Sequence, residues 1–342
     1  MLTGPQFFQK EENIPRGARI IDKFADATQE LFIIERSELK HSFSRETPAF
    51  QNFLHEREQQ ALWVYYPWNN TAIRIYPEQE YCKIRTARNR NIITKEEQER
   101  YRNTSVGIAG LSVGSAVLSA LTMTGGPRCL KIADFDTLEL SNLNRIKATL
   151  LDLGAKKTDI AAKNTWEIYP FANISLFETG LNEQNLEEFL RGNPKLDVFI
   201  DEMDNISMKI RVRRSCRTHR IPVIMVTDNG NGVILDIERF DAEPERPLLH
   251  GIMEDMDPET IEHLDFQNWT KVANKIVGSE SLSERMLQSI QAIGTSLSGI
   301  PQLGTSASVG GAVAAFSVRA IANNLPMPSG RYHINFETLF LA

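Results

Sequence analysis

From Ser105 onward the chain alternates short apolar runs with helical segments, and no other feature constrains the fold as much. Val106-Gly107-Ile108-Ala109 precedes a helical stretch over 115–124 that stops at Gly125-Gly126-Pro127. Cys129-Leu130-Lys131-Ile132-Ala133 precedes one over 157–169, the run 174–177 one over 182–191, and the run 196–200 one over 205–219. Two further runs, at 222–226 and 232–240, complete the series, the second alternating in polarity. A strand followed by a crossover helix returns the chain to the same end of the sheet, so such strands pair in parallel. The pattern predicts an α/β fold with a Rossmann-like, doubly wound, mainly parallel sheet over 104–342. Residues 241–301 interrupt it; they are acidic, carry Pro244, Pro247 and Pro258, and read as an insertion or crossover segment with some helix. A helix of small residues is expected over 306–323.

Residues 1–103 read as an N-terminal extension of different character. Phe7, Phe8, Phe24, Phe32, Phe43, Phe50 and Phe53 are scattered among charges without one sustained period. Leu62-Trp63-Val64-Tyr65-Tyr66 and Ala72-Ile73-Arg74-Ile75-Tyr76 flank Pro67-Trp68-Asn69-Asn70, the pattern of a β-hairpin. Thr94 with Glu97 three residues on marks a helix start.

A net charge of −6 gives no basic face for a polyanion, so nucleic acid is not an expected partner. Lys209, Arg211, Arg213, Arg214, Arg217 and Arg220 crowd one stretch, which reads as a solvated helix face. The three cysteines, Cys82, Cys129 and Cys216, are far apart, which fits a reducing compartment. The N-terminus lacks the basic and apolar regions of a signal peptide. The longest apolar stretch, 307–322, contains Arg319 and reads as too short for a bilayer. A cytoplasmic protein without a membrane partner is expected.

The first βα turn reads Gly110-Leu111-Ser112-Val113-Gly114-Ser115. A glycine-rich turn between strand and helix can cradle phosphate on backbone N–H groups. This one departs from G-x-G-x-x-G, since Ser112 stands where a glycine is expected and Gly114 comes one residue early. The second strand ends in Asp134-Phe135-Asp136, and an acidic residue about 20 positions past such a turn serves to bond a ribose hydroxyl. On these features alone an NAD(P)-dependent oxidoreductase fits equally well.

The next residues separate the readings. The run from Asp134 to Arg145, DFDTLELSNLNR, resembles the D-x-D-x-[VL]-x-x-S-N-L-x-R signature of the ThiF/MoeB/ubiquitin-activating family. Gly154-Ala155-Lys156-Lys157 resembles its G-x-x-K, and Asp201-Glu202-Met203-Asp204-Asn205 its D-x-x-D-N. Arg88-Asn89-Arg90-Asn91-Ile92-Ile93 resembles its R-x-x-R-Q-I-like segment, with Asn91 in the glutamine position. The resemblance covers residues 88–241 well and the last helix loosely, but neither the first 85 residues nor the insertion.

The resemblance implies an ATP- and Mg2+-dependent adenylyltransferase that activates an acceptor carboxylate as an acyl-adenylate. Gly110, Ser112 and Gly114 would then cradle phosphate, Asp134 would bind the ribose with Asp136 also at the cofactor, and Asn142 and Arg145 would grip the triphosphate. Lys157 would bind phosphate, Asp204 would hold Mg2+ beside Asn205, and Arg90 would reach the ATP site of a homodimer partner. The acceptor it implies is a ubiquitin-like or sulfur-carrier protein C-terminus, a peptide or a small molecule. A tRNA-modifying dehydratase of the same family and an inactive partner subunit are the alternatives; the second would have lost the arginine, lysine or aspartate, and all three are present. Residues 227–301 contain no cysteine, so no thioester to the enzyme is expected, and without a Cys-x-x-Cys pair no structural zinc is expected. At helical spacing Cys216 falls with Val212 and His219 on a buried stripe and reads as a core residue.

Overall fold

A computed structural model describes residues 2–278 and 282–341. The chain divides into two units: residues up to Gln98 together with Trp166–Phe171, and Glu99–Thr165 together with Ala172 onward.

The first unit carries a four-stranded sheet of β1 (Gln6–Phe8), β2 (Arg19–Ile21), β3 (Leu62–Tyr66) and β4 (Thr71–Ile75), in the order β1-β3-β4-β2. The expected hairpin is β3–β4, and Asn70 takes the left-handed conformation its turn requires (φ 49°). Three helices accompany the sheet: α1 (Phe24–Glu35), α2 (Pro48–Glu58) and α3 (Glu78–Arg85). The aperiodic phenylalanines now have a reason. Phe24, Phe32, Phe50 and Phe53 come from two helices and close one small core with Leu31 and Tyr76. Residues 166–171 complete this unit: Tyr66 Oη donates to Trp166 O at 3.2 Å, Phe7 stacks on Phe171 at 5.1 Å, and Tyr169 Oη donates to Glu78 at 2.6 Å. The chain leaves the unit through α4 (Lys95–Asn103), which opens with the expected reciprocal bonds between Thr94 and Glu97.

The second unit is built on a seven-stranded sheet in the order β11-β10-β9-β8-β5-β6-β7. β5 (Ser105–Ala109), β6 (Cys129–Ala133), β7 (Asn173–Phe177), β8 (Val198–Asp201) and β9 (Val223–Asn229) are parallel. β10 (Gly232–Glu238) and β11 (Gly330–Asn335) add antiparallel strands at one edge. The chain builds outward from β5 through β6 to β7, then returns to place β8 on the other side of β5. The carboxyl ends of β5 and β8 therefore flank the switch point, where open α/β sheets bind ligands.

The crossover helices are α5 (Val113–Met123), α6 (Lys157–Ile168), α7 (Leu186–Arg191) and α8 (Ile206–His219). The segment read as an insertion holds α9 (Pro258–Glu262), α10 (Phe266–Val277) and α11 (Glu284–Ala292), and Leu248, Leu249, Met253, Ile261 and Ile276 from it join the main core. α12 (Gly304–Ala322) follows, and α13 (Phe336–Phe340) comes after β11.

At 19 residues α12 is long and apolar enough to cross a membrane, which corrects the reading of it as too short. It packs on α5, β9 and β10, and the packing explains its small residues: a Cβ on Gly311 would stand 2.6 Å from Ala116 O. The solvated-face reading of the basic stretch also needs correction. Arg213 is fully buried, bonded to Asp201 and, at 2.7 Å, to Glu238; Lys209 reaches Asp201 Oδ1 at 3.1 Å and is 9% exposed. Spacing of four along α8 puts both cations on its inner face, where two buried carboxylates await them.

Candidate nucleotide site

The glycine-rich turn leaves β5 at Gly110, which has φ +88°; a Cβ there would meet Glu202 O at 2.2 Å, so only glycine fits. Asp134 fastens the turn to the end of β6. Its Oδ2 accepts from Leu111 N at 2.6 Å and its Oδ1 from Asp136 N at 2.8 Å. Burial raises the Asp134 carboxyl, against the pull of those two N–H groups. A Cβ on Gly114 would press Ile108 Cγ2 at 2.9 Å, so this glycine lets α5 start close to its strand. Ser112 stands at the N-cap of α5, but its side chain accepts from none of the first-turn N–H groups. Its hydroxyl instead accepts from Arg145 Nε at 2.7 Å.

Arg145 follows a short 3-10 turn (Leu140–Asn144) locked by Glu139 and Asn142, with Glu139 N donating to Asn142 Oδ1 at 3.1 Å. Nη1 of Arg145 donates to Asn144 Oδ1 at 2.9 Å, and Asn144 Nδ2 donates to Gln302 O at 2.8 Å. Burial holds the guanidinium below its ordinary value, opposed by the charges of Asp228 and Asp204. Lys157 opens α6 with its side chain 8% exposed, and Nζ meets Asp136 Oδ2 at 2.7 Å.

These bonds bring together Gly110, Ser112, Gly114, Asp134, Asp136, Arg145 and Lys157. Asp204 is exposed just beyond β8, within electrostatic reach of Arg145. Asn142 is buried in the lock of the 3-10 turn, and Asn205 Oδ1 caps α8 by accepting from Met208 N at 3.0 Å. Arg90 belongs to the first unit, where Nη1 donates to Ile34 O at 3.5 Å.

Two residues escaped sequence reasoning. Gln302, in the stretch before α12, holds Asn144 and lies 3.4 Å from the Ser112 hydroxyl through Oε1. Asp228, near the carboxyl end of β9, is buried with both oxygens unpartnered among the described residues. The available signal was an aspartate closing the apolar run IMVTDN at a strand end. Cys216 is fully buried, and burial pushes its thiol far up, as suits a core residue.

Residues 86–326 match the ThiF family. The chain is 35% identical over 278 residues to "Uncharacterized protein MT1398" of Mycobacterium tuberculosis, across 81% of this chain and 38% of that protein. It is 30% identical over 166 residues to the tRNA threonylcarbamoyladenosine dehydratase of Bacillus subtilis, across 46% of this chain and 64% of that one. It is 28% identical over 171 residues to the molybdopterin-synthase adenylyltransferase of Haemophilus influenzae, across 48% and 68%. The chain thus spans 38% and 64% of the first two relatives' lengths. Among solved structures, E. coli MccB with ATP shares the fold at a TM-score of 0.51 and 15% identity, over 92% of this chain and 86% of that one. With 86–326 matched on a site-bearing α/β sheet, the chain is a member of the ThiF family.

Proposed function

We propose that this chain uses ATP to adenylylate a carboxylate of an acceptor. A carboxylate oxygen attacks the α-phosphorus, the α–β phosphoanhydride bond breaks, and pyrophosphate leaves with the electron pair. The observation that carries this reading is the bond of Arg145 Nε to Ser112 Oγ, 2.7 Å, which ties a cation to a glycine-rich turn 33 residues earlier in the chain. The turn and the start of α5 receive phosphate; Arg145 and Lys157 neutralise charge that builds on the departing pyrophosphate. The acceptor carboxylate is already ionised, so placement and fixed charge supply the rate without a general base.

Asp134 is committed to backbone N–H groups, which leaves Asp136, half exposed, as the carboxylate for the ribose hydroxyls. Asp204 is an exposed carboxylate, and one such ligand with phosphate oxygens and waters suits Mg2+. Bound there, the ion would supply charge neutralisation on the triphosphate. Arg90 in this reading acts across a homodimer. The acceptor is a protein C-terminus, a peptide or a small molecule, and a net charge of −6 weighs against a nucleic acid. Exchange of labelled pyrophosphate into ATP, run with candidate acceptors, tests the reading; MgATP that fails to bind would end it.

A further inference from the structure

Gln302 reaches the candidate site from a stretch of chain that the reaction above leaves without a role. The stretch ends at Leu303, the N-cap of α12, and Gly304 then seats on the 3-10 turn that carries Arg145. A Cβ on Gly304 would stand 2.5 Å from Asn144 O and 3.7 Å from Arg145 Cα. Gln302 O accepts from Asn144 Nδ2 at 2.8 Å. Asn144 Oδ1 accepts from Arg145 Nη1 at 2.9 Å, and Arg145 Nε donates to Ser112 Oγ at 2.7 Å. A guanidinium only donates, so the Ser112 hydroxyl gives a lone pair to Arg145 and keeps its proton. That proton has Gln302 Oε1 at 3.4 Å as its acceptor. Gln302, Asn144, Arg145 and Ser112 thus close a ring of side-chain and main-chain bonds across segments far apart in the sequence. The anchors of Arg145 in the ring are neutral oxygens, and Nη2 takes no part in it.

We propose that Gln302 is a positioning residue: through Ser112 and Asn144 it holds the guanidinium of Arg145 in place for the β- and γ-phosphates of ATP. The inference rests on the adenylylation reading and extends it by giving the stretch before α12 a part in the nucleotide site. An arginine left loose gives up rotamer freedom when it grips phosphate, whereas one already held gives up less and binds more tightly. Neutral anchors hold the side chain without cancelling its charge. The ring also accounts for the departure of the turn from G-x-G-x-x-G. A glycine in place of Ser112 would offer Arg145 no lone pair and Gln302 no proton, and the serine supplies both. At 3.4 Å the bond from Ser112 to Gln302 is the longest of the ring, so its loss should have a modest effect.

Calorimetry on the full chain tests this with MgATP and with AMP, which lacks the phosphates assigned to Arg145. Gln302→Met keeps the length of the side chain and the main-chain bond to Asn144 but removes Oε1. It should weaken MgATP binding about fivefold, the scale of one hydrogen bond, and AMP binding less than about twofold. Ser112→Ala opens the ring at two bonds and should weaken MgATP binding about tenfold or more. In that background Gln302→Met should add less than about twofold, because the bond it removes is already gone. Gln302→Ala repeats the measurements should the methionine variant fold poorly. Equal losses for MgATP and AMP mean that Gln302 only shapes the pocket. A loss that adds in full to that of Ser112→Ala means that it acts by another route, and no loss means that it is idle; each overturns the proposal alone. A parent chain that binds no MgATP overturns the adenylylation reading and this inference with it.

Discussion

Asp228 also makes a prediction about stability. Its carboxyl lies near 6 in the folded chain, against 3.8 unperturbed, so between those values the folded state holds more protons than the unfolded one. Stability conferred by the protonated carboxyl is full below the unfolded value and is lost as pH rises through 6. Asp228→Asn should therefore match the parent in stability near pH 4 and exceed it at pH 7 by about 3 kcal/mol, with a correspondingly higher Tm. Thermal melts across pH 4–8 check this, and a Tm difference independent of pH would contradict it. Arg145→Ala should still fold and lose roughly a hundredfold or more in exchange, the scale of one lost transition-state charge partner. Near-normal exchange would mean the cation of the site lies elsewhere. Residues singled out in order along the chain do meet in part: Arg145 bonds the Ser112 hydroxyl at 2.7 Å and Lys157 pairs with Asp136 at 2.7 Å. Asp228 and Gln302 were not legible, because each owes its place to a crossing of distant segments. Lys209 and Arg213 misled, since a charge on a helix does not say whether a buried carboxylate faces it.

At the scale of elements, the turn between β5 and α5 has no room for a side chain. Gly110→Ala combines φ +88° with a Cβ 2.2 Å from Glu202 O, and should cost roughly 1–3 kcal/mol or more while weakening MgATP binding. Denaturant unfolding and calorimetry would measure both, and a variant of parental stability would show that the turn can relax. Gly311→Val makes a parallel test on α12, where the added bulk meets Ala116 O and overpacking costs typically 1–3 kcal/mol. The βα units were legible because period and punctuation agree in each. α1 and α2 were not, since their cores are closed by phenylalanines from both helices and neither shows a clean stripe alone. β11 was missed for a related reason: its six residues show partial burial at an edge, so no apolar run announces them.

At the scale of the whole molecule, a ligand that binds only the folded chain adds stability in proportion to the logarithm of its excess over Kd. MgATP at a hundredfold excess should add about 2.7 kcal/mol, and NAD far less. Differential scanning fluorimetry with both nucleotides decides the matter, and a larger shift with NAD would return the chain to the oxidoreductases. The division into two units carries a different lesson. Residues 166–171 lie within the second unit's sequence yet furnish Trp166, Tyr169 and Phe171 to the first, and α6 runs through that junction. No single scission of the polypeptide separates the units cleanly. A fragment ending at Gln98 would lose the partners of Phe7, Tyr66, Trp68 and Glu78, and one beginning at Glu99 would carry three aromatic rings without those partners. Gene truncation at that point should yield insoluble halves. Recombination in evolution would face the same obstacle, so whatever the extension contributes must be inherited together with the second unit's sheet.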